Sequence, residues 1–272
     1  MKPLNVTLVV NAFFRNQAKV LAAGYFASLE AAHASRFAER VLLINNVTDA
    51  AAALGQARAL ISRGEFDRVE VVSEHVPAAL AATELTTKSF NGRPHYTDFL
   101  LVAALVASSP YYLCHDADVT VTGASSWVES GLELLRVRPD VLVVSPTPNW
   151  WHPNYELTTE VTRDYFFGYG FSDQLFLART AEMRQPIYQY HCPASLRYPA
   201  SHRGASFEQR VDSYMRCTGR LRALDRRSGY LHFGKNWKWP EHASEWPRFA
   251  RNRLISRALK LSPYRQDARW KV

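Results

Sequence analysis

The 272-residue sequence predicts an α/β fold, one large domain with a mixed, mainly parallel central sheet. Two observations predict it. Up to about residue 145, short apolar runs rich in β-formers alternate with helical patterns, the signature of βαβ units. Hydrophobic residues make up 47% of the chain and aromatics 12%, which suits a packed core and argues against extended disorder.

Taken in order, strands are expected over Asn5–Val10, Val41–Asn45, Arg68–Val72, Tyr111–His115 and Val141–Val144. Helices are expected over Gln17–Ala34, Asp49–Ser62, Tyr96–Ser108 and Ser125–Val137. Asp49 reads as an N-cap and Gly64 as a helix stop. Beyond Pro146 the pattern changes. An aromatic loop over Asn149–Tyr155 precedes a hairpin over Asp164–Arg179, with Gly168 and Gly170 near its bend. An irregular stretch, Pro186–Arg203, leads to a helix over Phe207–Arg216 and a short strand over Tyr230–Phe233. Residues 1–240 are expected to form the main domain and 241–272 a basic extension.

Lys and Arg number 33 against 25 acids, a formal charge of +8 that favours anionic partners. The cations are not gathered on a recognition helix and no zinc or RNA-binding motif appears, so nucleic acid is not the expected partner. Cys114, Cys192 and Cys217 are sparse and far apart, which fits a reducing compartment better than a disulfide framework. Met1–Phe14 reads as a strand rather than a signal peptide. The longest apolar run, Phe99–Ala107, has nine residues, against about 20 needed to span a bilayer. A soluble, cytoplasmic protein is expected.

The sharpest local signal is Tyr-Tyr-Leu-Cys-His-Asp-Ala-Asp-Val, residues 111–119. A strand ends and two carboxylates, Asp116 and Asp118, follow one residue apart. Ligands of α/β sheets bind beyond the carboxyl ends of strands. Two hard oxygen ligands there, with positions left for phosphate oxygens, suit Mn²⁺ or Mg²⁺. An exposed turn, with both aspartates bonding nearby backbone, is the plainer reading. Asp116-Ala-Asp118-Val-Thr120 also resembles the motif of haloacid-dehalogenase-like phosphatases. That resemblance implies Asp116 as nucleophile and Asp118 as acid/base, with Val144-Ser145 as a second motif.

The order of motifs around these aspartates resembles the metal-dependent glycosyltransferases of the GT-A fold, a Rossmann-related α/β class, over Asn5–Phe233. Val10-Asn11-Ala12-Phe13-Phe14-Arg15 resembles their donor loop, and Leu43-Ile44-Asn45-Asn46-Val47-Thr48-Asp49 their second turn. Asn91-Gly92-Arg93 and the helix from Tyr96 then lead into the aspartate strand. The resemblance implies a nucleotide-sugar donor held by Asn11, Ala12, Phe13, Arg15, Asn45, Asn46, Arg93, Asp98, Asp116 and Ala117. It implies a metal on Asp116 and Asp118, joined by His232 of Tyr230-Leu231-His232-Phe233. Glu208 of Phe207-Glu208-Gln209 is the expected base and Asp173 of Ser172-Asp173-Gln174 its rival. Trp150, Trp151 and Asp212 are expected on the acceptor side, with Trp237 and Trp239 as further stacking candidates. The acceptor is expected to be a glycan or lipid-linked hydroxyl of a cell-surface precursor, transferred with inversion.

From Trp239 to Val272, apolar residues alternate with cations. Phe249, Leu254 and Leu261 are expected on one helical stripe flanked by Arg248, Arg251, Arg253, Arg257 and Lys260. Such a helix either lies on an anionic membrane, here the cytoplasmic face of the inner membrane, or packs on the domain.

Overall fold

The computed structural model describes residues 2–90, 98–123, 126–149, 158–198, 201–232 and 243–261. Its strands are β1 (Leu4–Ala12), β2 (Phe37–Ile44), β3 (Arg68–Val71), β4 (Tyr111–His115), β5 (Val119–Gly123), β6 (Val141–Pro148), β7 (Thr158–Val161), β8 (Tyr165–Gly168), β9 (Leu175–Arg179) and β10 (Leu221–His232). Its helices are α1 (Gln17–Val20), α2 (Tyr25–Ala32), α3 (Ala50–Ser62), α4 (Val72–Ala82), α5 (Asp98–Val106), α6 (Trp127–Val137), α7 (Thr180–Met183), α8 (Phe207–Thr218) and α9 (Trp246–Leu261).

All ten strands join one sheet, ordered β3-β2-β1-β4-β9-β6-β10-β8-β7, with β5 added beside β10. Only β5, β8 and β9 run against the rest, so the sheet is mixed and mainly parallel as expected. Both faces are covered. Side chains of α2, α3 and α6 pack on one face, and those of α4, α5, α7 and α8 on the other. That explains why β1 reads as a continuous apolar run: Val6, Leu8, Val9 and Val10 are buried whichever way they point. It also explains α5, whose Leu100–Ala104 are buried all round.

Several expected elements are corrected. The single helix over Gln17–Ala34 is broken in two at Gly24, whose φ of +79° is left-handed and starts α2. Helix α4 was missed because Pro77 sits inside it. The expected hairpin over Asp164–Arg179 does not form. Strand β8 pairs with β10 and β7, whereas β9 pairs with β4 and β6. The intervening segment crosses a face of the sheet, where buried Phe171 packs on Phe176 and Phe207. Strand β10 begins at Leu221, well before the expected Tyr230. Its register against β6 slips between Asp225 and Gly229, a bulge that re-aims the strand toward β5 and carries Tyr230 and His232 with it. Buried Asp225 holds the bulge, accepting from the amides of Arg227 at 2.7 Å and Ser228 at 3.0 Å.

Helix α9 lies against the turns Pro193–Arg197 and Ser201–Arg203. Asn252, 3% exposed, donates to Ser201 Oγ, and Arg203 pairs with Glu245. The single stripe expected here is not what forms: Phe249 turns toward His202, while Leu254 is 69% exposed.

Behind the end of β4, three buried rings form a chain. Trp127 Nε1 donates to His33 Nδ1 at 3.1 Å, and His33 Nε2 lies 3.0 Å from His115 Nδ1. An indole only donates. His33 must therefore carry its proton on Nε2 and pass a hydrogen bond to His115, whose own proton then sits on Nε2. Burial, then the neighbouring His115, holds His33 well below the usual histidine range. Burial, then the charge of Lys19, holds His115 down to about 4. The unfolded chain takes up a proton at each ring as pH falls through about 6.5, so these residues withdraw stability below that pH. At about pH 5.5 both rings should still be neutral Nε2–H tautomers in long-range ¹⁵N spectra. An imidazolium signal from either ring would contradict the chain.

Candidate functional site

The site lies at the carboxyl ends of β1, β2 and β4, where parallel strands leave an open rim. On the β1–β2 side, the turns are bonded to each other. The Asn45 amide donates to the Ala12 carbonyl at 2.8 Å, and the Phe14 amide to the Asn46 carbonyl at 3.2 Å. Asn16 folds the β1 loop, accepting from the Phe13 amide at 2.8 Å and donating to the Asn11 carbonyl. Asn46 adopts a φ of +50°, which asparagine tolerates. Asn45 Nδ2 donates to Asp98 Oδ1 at 3.2 Å, bringing the start of α5 to the same rim. Asn11, Phe13, Asn45, Asn46 and Asp98 thus stand at one rim. Ala12 is buried with its carbonyl engaged, so it shapes the loop from below. Arg15 is exposed, its guanidinium over the Phe14 ring. Arg93, Trp150, Trp151, Trp237 and Trp239 lie outside the described residues.

The aspartate turn is held from three sides. The Asp116 amide donates to the Gln174 carbonyl at 2.8 Å, the Val119 amide closes back on the Asp116 carbonyl, and the Asp118 amide donates to Asp116 Oδ1 at 3.1 Å. Lys19 Nζ, from α1, donates to the carbonyl of buried Ala117. Both carboxylates therefore leave one short turn, partly buried. Burial, with the charge of Asp118 adding to it against the Asp118 amide, raises Asp116 above the usual carboxylate range. Tyr25 extends this environment: burial first, then the charges of Asp116 and Asp118, push its phenol up, and its buried hydroxyl has no hydrogen-bond partner among the described residues.

Asp173 and Glu208 meet beside this turn. The Asp173 amide lies 3.4 Å from Glu208 Oε1, and the two side chains share a hydrogen bond. Glu208 stands in the first turn of α8, whose N-cap Ser206 accepts from the Gln209 amide at 3.2 Å. Burial, then the charge of Asp116, pushes Asp173 up to about 7, with the Glu208 hydrogen bond pulling the other way. Burial, then the charge of Asp173, raises Glu208 well above the carboxylate range. The two carboxyls thus disfavour joint ionisation and hold a proton between them.

His232 lies near enough to Asp116 to lower that carboxyl, and its Nδ1 lies 2.9 Å from Gln174 Nε2. Among the described residues no three His, Cys, Asp or Glu side chains form a ready cage for a metal. Asp212 is fully buried and occupied by Ser195, Arg216 and Arg197, so it holds cations inside the fold and presents nothing to an acceptor. Against a phosphatase motif, antiparallel β9 separates β4 from β6, so Ser145 does not flank the aspartate turn.

Reading the sequence missed Lys19, Tyr25 and Gln174. Gln174 had a signal, standing beside Asp173 just before an apolar strand. Lys19 and Tyr25 had none, because the break at Gly24 that turns them toward Asp116 is tertiary.

No family model matches the chain, and no curated protein does. Among solved structures, it is similar to GalNAc-T7 with UDP, GalNAc and Mn²⁺, at 10% identity and a TM-score of 0.49, covering 92% of this chain and 48% of that one. The chain thus spans about half the length of that protein. It is also similar to glucosyl-3-phosphoglycerate synthase from Mycobacterium tuberculosis, at 12% identity and 0.44, covering 90% and 76%. A third is the galactosyltransferase LgtC in complex with donor and acceptor sugar analogs, at 15% identity and 0.40, covering 96% and 100%.

Proposed function

We propose that the chain is a divalent-cation-dependent glycosyltransferase of the GT-A type, moving a sugar from a nucleoside diphosphate to a hydroxyl. One observation carries this reading: two differently conditioned carboxylate pairs meet at the end of β4. Asp116 and Asp118 leave one turn as hard oxygens. Asp173 and Glu208 are bonded to each other and both are raised above the usual carboxylate range, Asp173 to about 7. The first pair, with His232 in reach of Asp116, would hold Mn²⁺ or Mg²⁺ and leave positions for phosphate oxygens. A bound cation supplies positive charge where the departing diphosphate gathers negative charge.

The chain's own residues supply the rest. Asn11, Phe13, Asn45 and Asn46 line the rim where base and ribose fit, and Asp98 stands toward the sugar-phosphate. Lys19, beside Asp116, adds a cation on the diphosphate side. Asp173, rather than Glu208, is the base: it ionises first, and protonated Glu208 steadies its carboxylate. The activated hydroxyl attacks opposite the leaving group and inverts the anomeric carbon. The acceptor is read as a glycan or lipid-linked precursor. The outer face of α9, with exposed Trp246 and Leu254 beside Arg248, Arg251 and Arg253, is suited to an anionic membrane. No helix of the described residues is long and apolar enough to cross one.

Asp118→Ala should abolish turnover and Mn²⁺-dependent UDP binding while far-UV circular dichroism stays unchanged. Full activity in this variant, or in the wild type with EDTA, would refute the metal reading.

Asp173→Asn should lower kcat by about 10²–10⁴-fold with little change in donor affinity. Wild-type rate should fall as pH drops through about 7, where Asp173 regains its proton. Glu208→Gln, which keeps a donor, should lose less. A larger loss in Glu208→Gln than in Asp173→Asn would reverse the two roles.

Replacing Arg248, Arg251 and Arg253 together by Glu should end cosedimentation with phosphatidylglycerol vesicles and leave turnover on a soluble acceptor intact. Retained sedimentation would remove the membrane role.

A further inference from the structure

Helix α2 opens on Tyr25, directly after the left-handed turn at Gly24. The turn is pinned from outside. The Gly24 amide donates to Glu65 Oε2 at 2.8 Å, and Ser28 Oγ donates to the Tyr25 carbonyl at 2.6 Å. The Tyr25 ring is held inside, edge-on to Phe26 at 5.9 Å, and the residue is 8% exposed. Lys19 ties that ring to the aspartate turn. Its ammonium lies 5.9 Å from the centre of the Tyr25 ring and donates to the carbonyl of Ala117, the residue between Asp116 and Asp118.

The polar atoms gathered there are incompletely bonded. Among the described residues the buried Tyr25 hydroxyl has no partner. Asp116 accepts at Oδ1 from the Asp118 amide, and no other side chain of the described residues bonds either carboxylate. A buried hydroxyl left without a partner is costly. Phenylalanine would fill the same space without that cost, so the oxygen is what needs a reason. A tyrosine hydroxyl has one proton to donate, and burial, then the charges of Asp116 and Asp118, keep that proton on the ring. Of the two aspartates, Asp116 weighs more on Tyr25, and its amide is already fixed to the Gln174 carbonyl. Carboxylates that hold an ion are themselves hydrogen-bonded by outer groups, whose loss costs about 10–100-fold in metal affinity.

We propose that Tyr25 is a positioning residue of the cation site, its hydroxyl donating to the Asp116 carboxylate and fixing which oxygen that residue turns toward the ion. The role is indirect: Tyr25 acts through Asp116 and meets neither nucleotide nor sugar. It rests on the cation-dependent glycosyltransferase reading.

The test is Mn²⁺ titration of the full chain in saturating UDP, with free Mn²⁺ followed by electron paramagnetic resonance. Wild type, Tyr25→Phe and Tyr112→Phe are compared. Tyr112, on β4, is the control. Its hydroxyl is also buried without a partner, but its ring packs on Phe176 in the core of the other sheet face. Tyr25→Phe should bind Mn²⁺ about tenfold or more weakly, and Tyr112→Phe like wild type. In EDTA, UDP binding should be alike in all three proteins. Tyr25→Phe should then melt no lower than wild type, because the hydroxyl has no bond to lose. Equal Mn²⁺ affinity in wild type and Tyr25→Phe, or an equal loss in Tyr112→Phe, overturns the role of Tyr25 and leaves the cation site standing. Weaker UDP binding by Tyr25→Phe in EDTA also overturns it, since the hydroxyl then meets the nucleotide. So does a Tyr25→Phe protein that melts lower or fails to fold, since the hydroxyl then supports the structure. If wild type itself takes up no Mn²⁺, the cation-dependent reading fails and the role of Tyr25 falls with it.

Discussion

Strand β4 has two edges, and what pairs with each decides the rest of the site. One edge is taken by β1, as in any βαβ unit. The other must also be filled, because buried backbone groups left unpaired are costly. The chain fills it with β9, running antiparallel between β4 and β6. The ladder continues one bond past the end of β4, from the Asp116 amide to the Gln174 carbonyl. That bond fixes the aspartate turn and delivers the preceding residue, Asp173, to its side. Had β6 paired directly with β4, the two aspartates would still stand at a strand end, but no further carboxylate would be brought beside them.

The consequence is electrostatic crowding. Four carboxylates share a small region, and like charges in a partly buried place disfavour joint ionisation. The protein answers in three ways. Protons are retained on Glu208 and, near neutrality, on Asp173. Cations approach from the flanks, Lys19 above and Arg197 below. Backbone amides are aimed at Asp116 and Glu208. Such an arrangement is poorer for stability than an apolar core would be, as is common where chemistry is done.

The two halves of the chain were unequally legible. Strands β1, β2, β3, β4 and β6 and helix α3 carry their own instructions: apolar runs of strand length, an Asp49 cap whose side chain accepts from the Ala52 amide, and a left-handed Gly64 after the helix. The aspartates were legible for the same reason, as polar residues abruptly ending an apolar strand. The rest depended on distant partners. Nothing local says that Leu175–Arg179 should leave Tyr165–Gly168 and insert between two other strands. Arg222 is an arginine set in an apolar run, Leu-Arg-Ala-Leu, and only packing shows that it points inward. Asp212 looked like an acidic residue on a helix near a site; the two arginines that occupy it come from different turns of the chain.

Strand β10 is the last strand among the described residues, and it pairs with three others: β6, β8 and β5. A chain that ends before Leu221 therefore loses more than its final residues. It exposes an open edge on each of those three strands, with unpaired backbone ready to recruit another chain. Arg222, Tyr230 and His232 would be missing as well. During synthesis, sheet closure and completion of the carboxylate site both wait on this one strand, and a product that lacks it is adhesive.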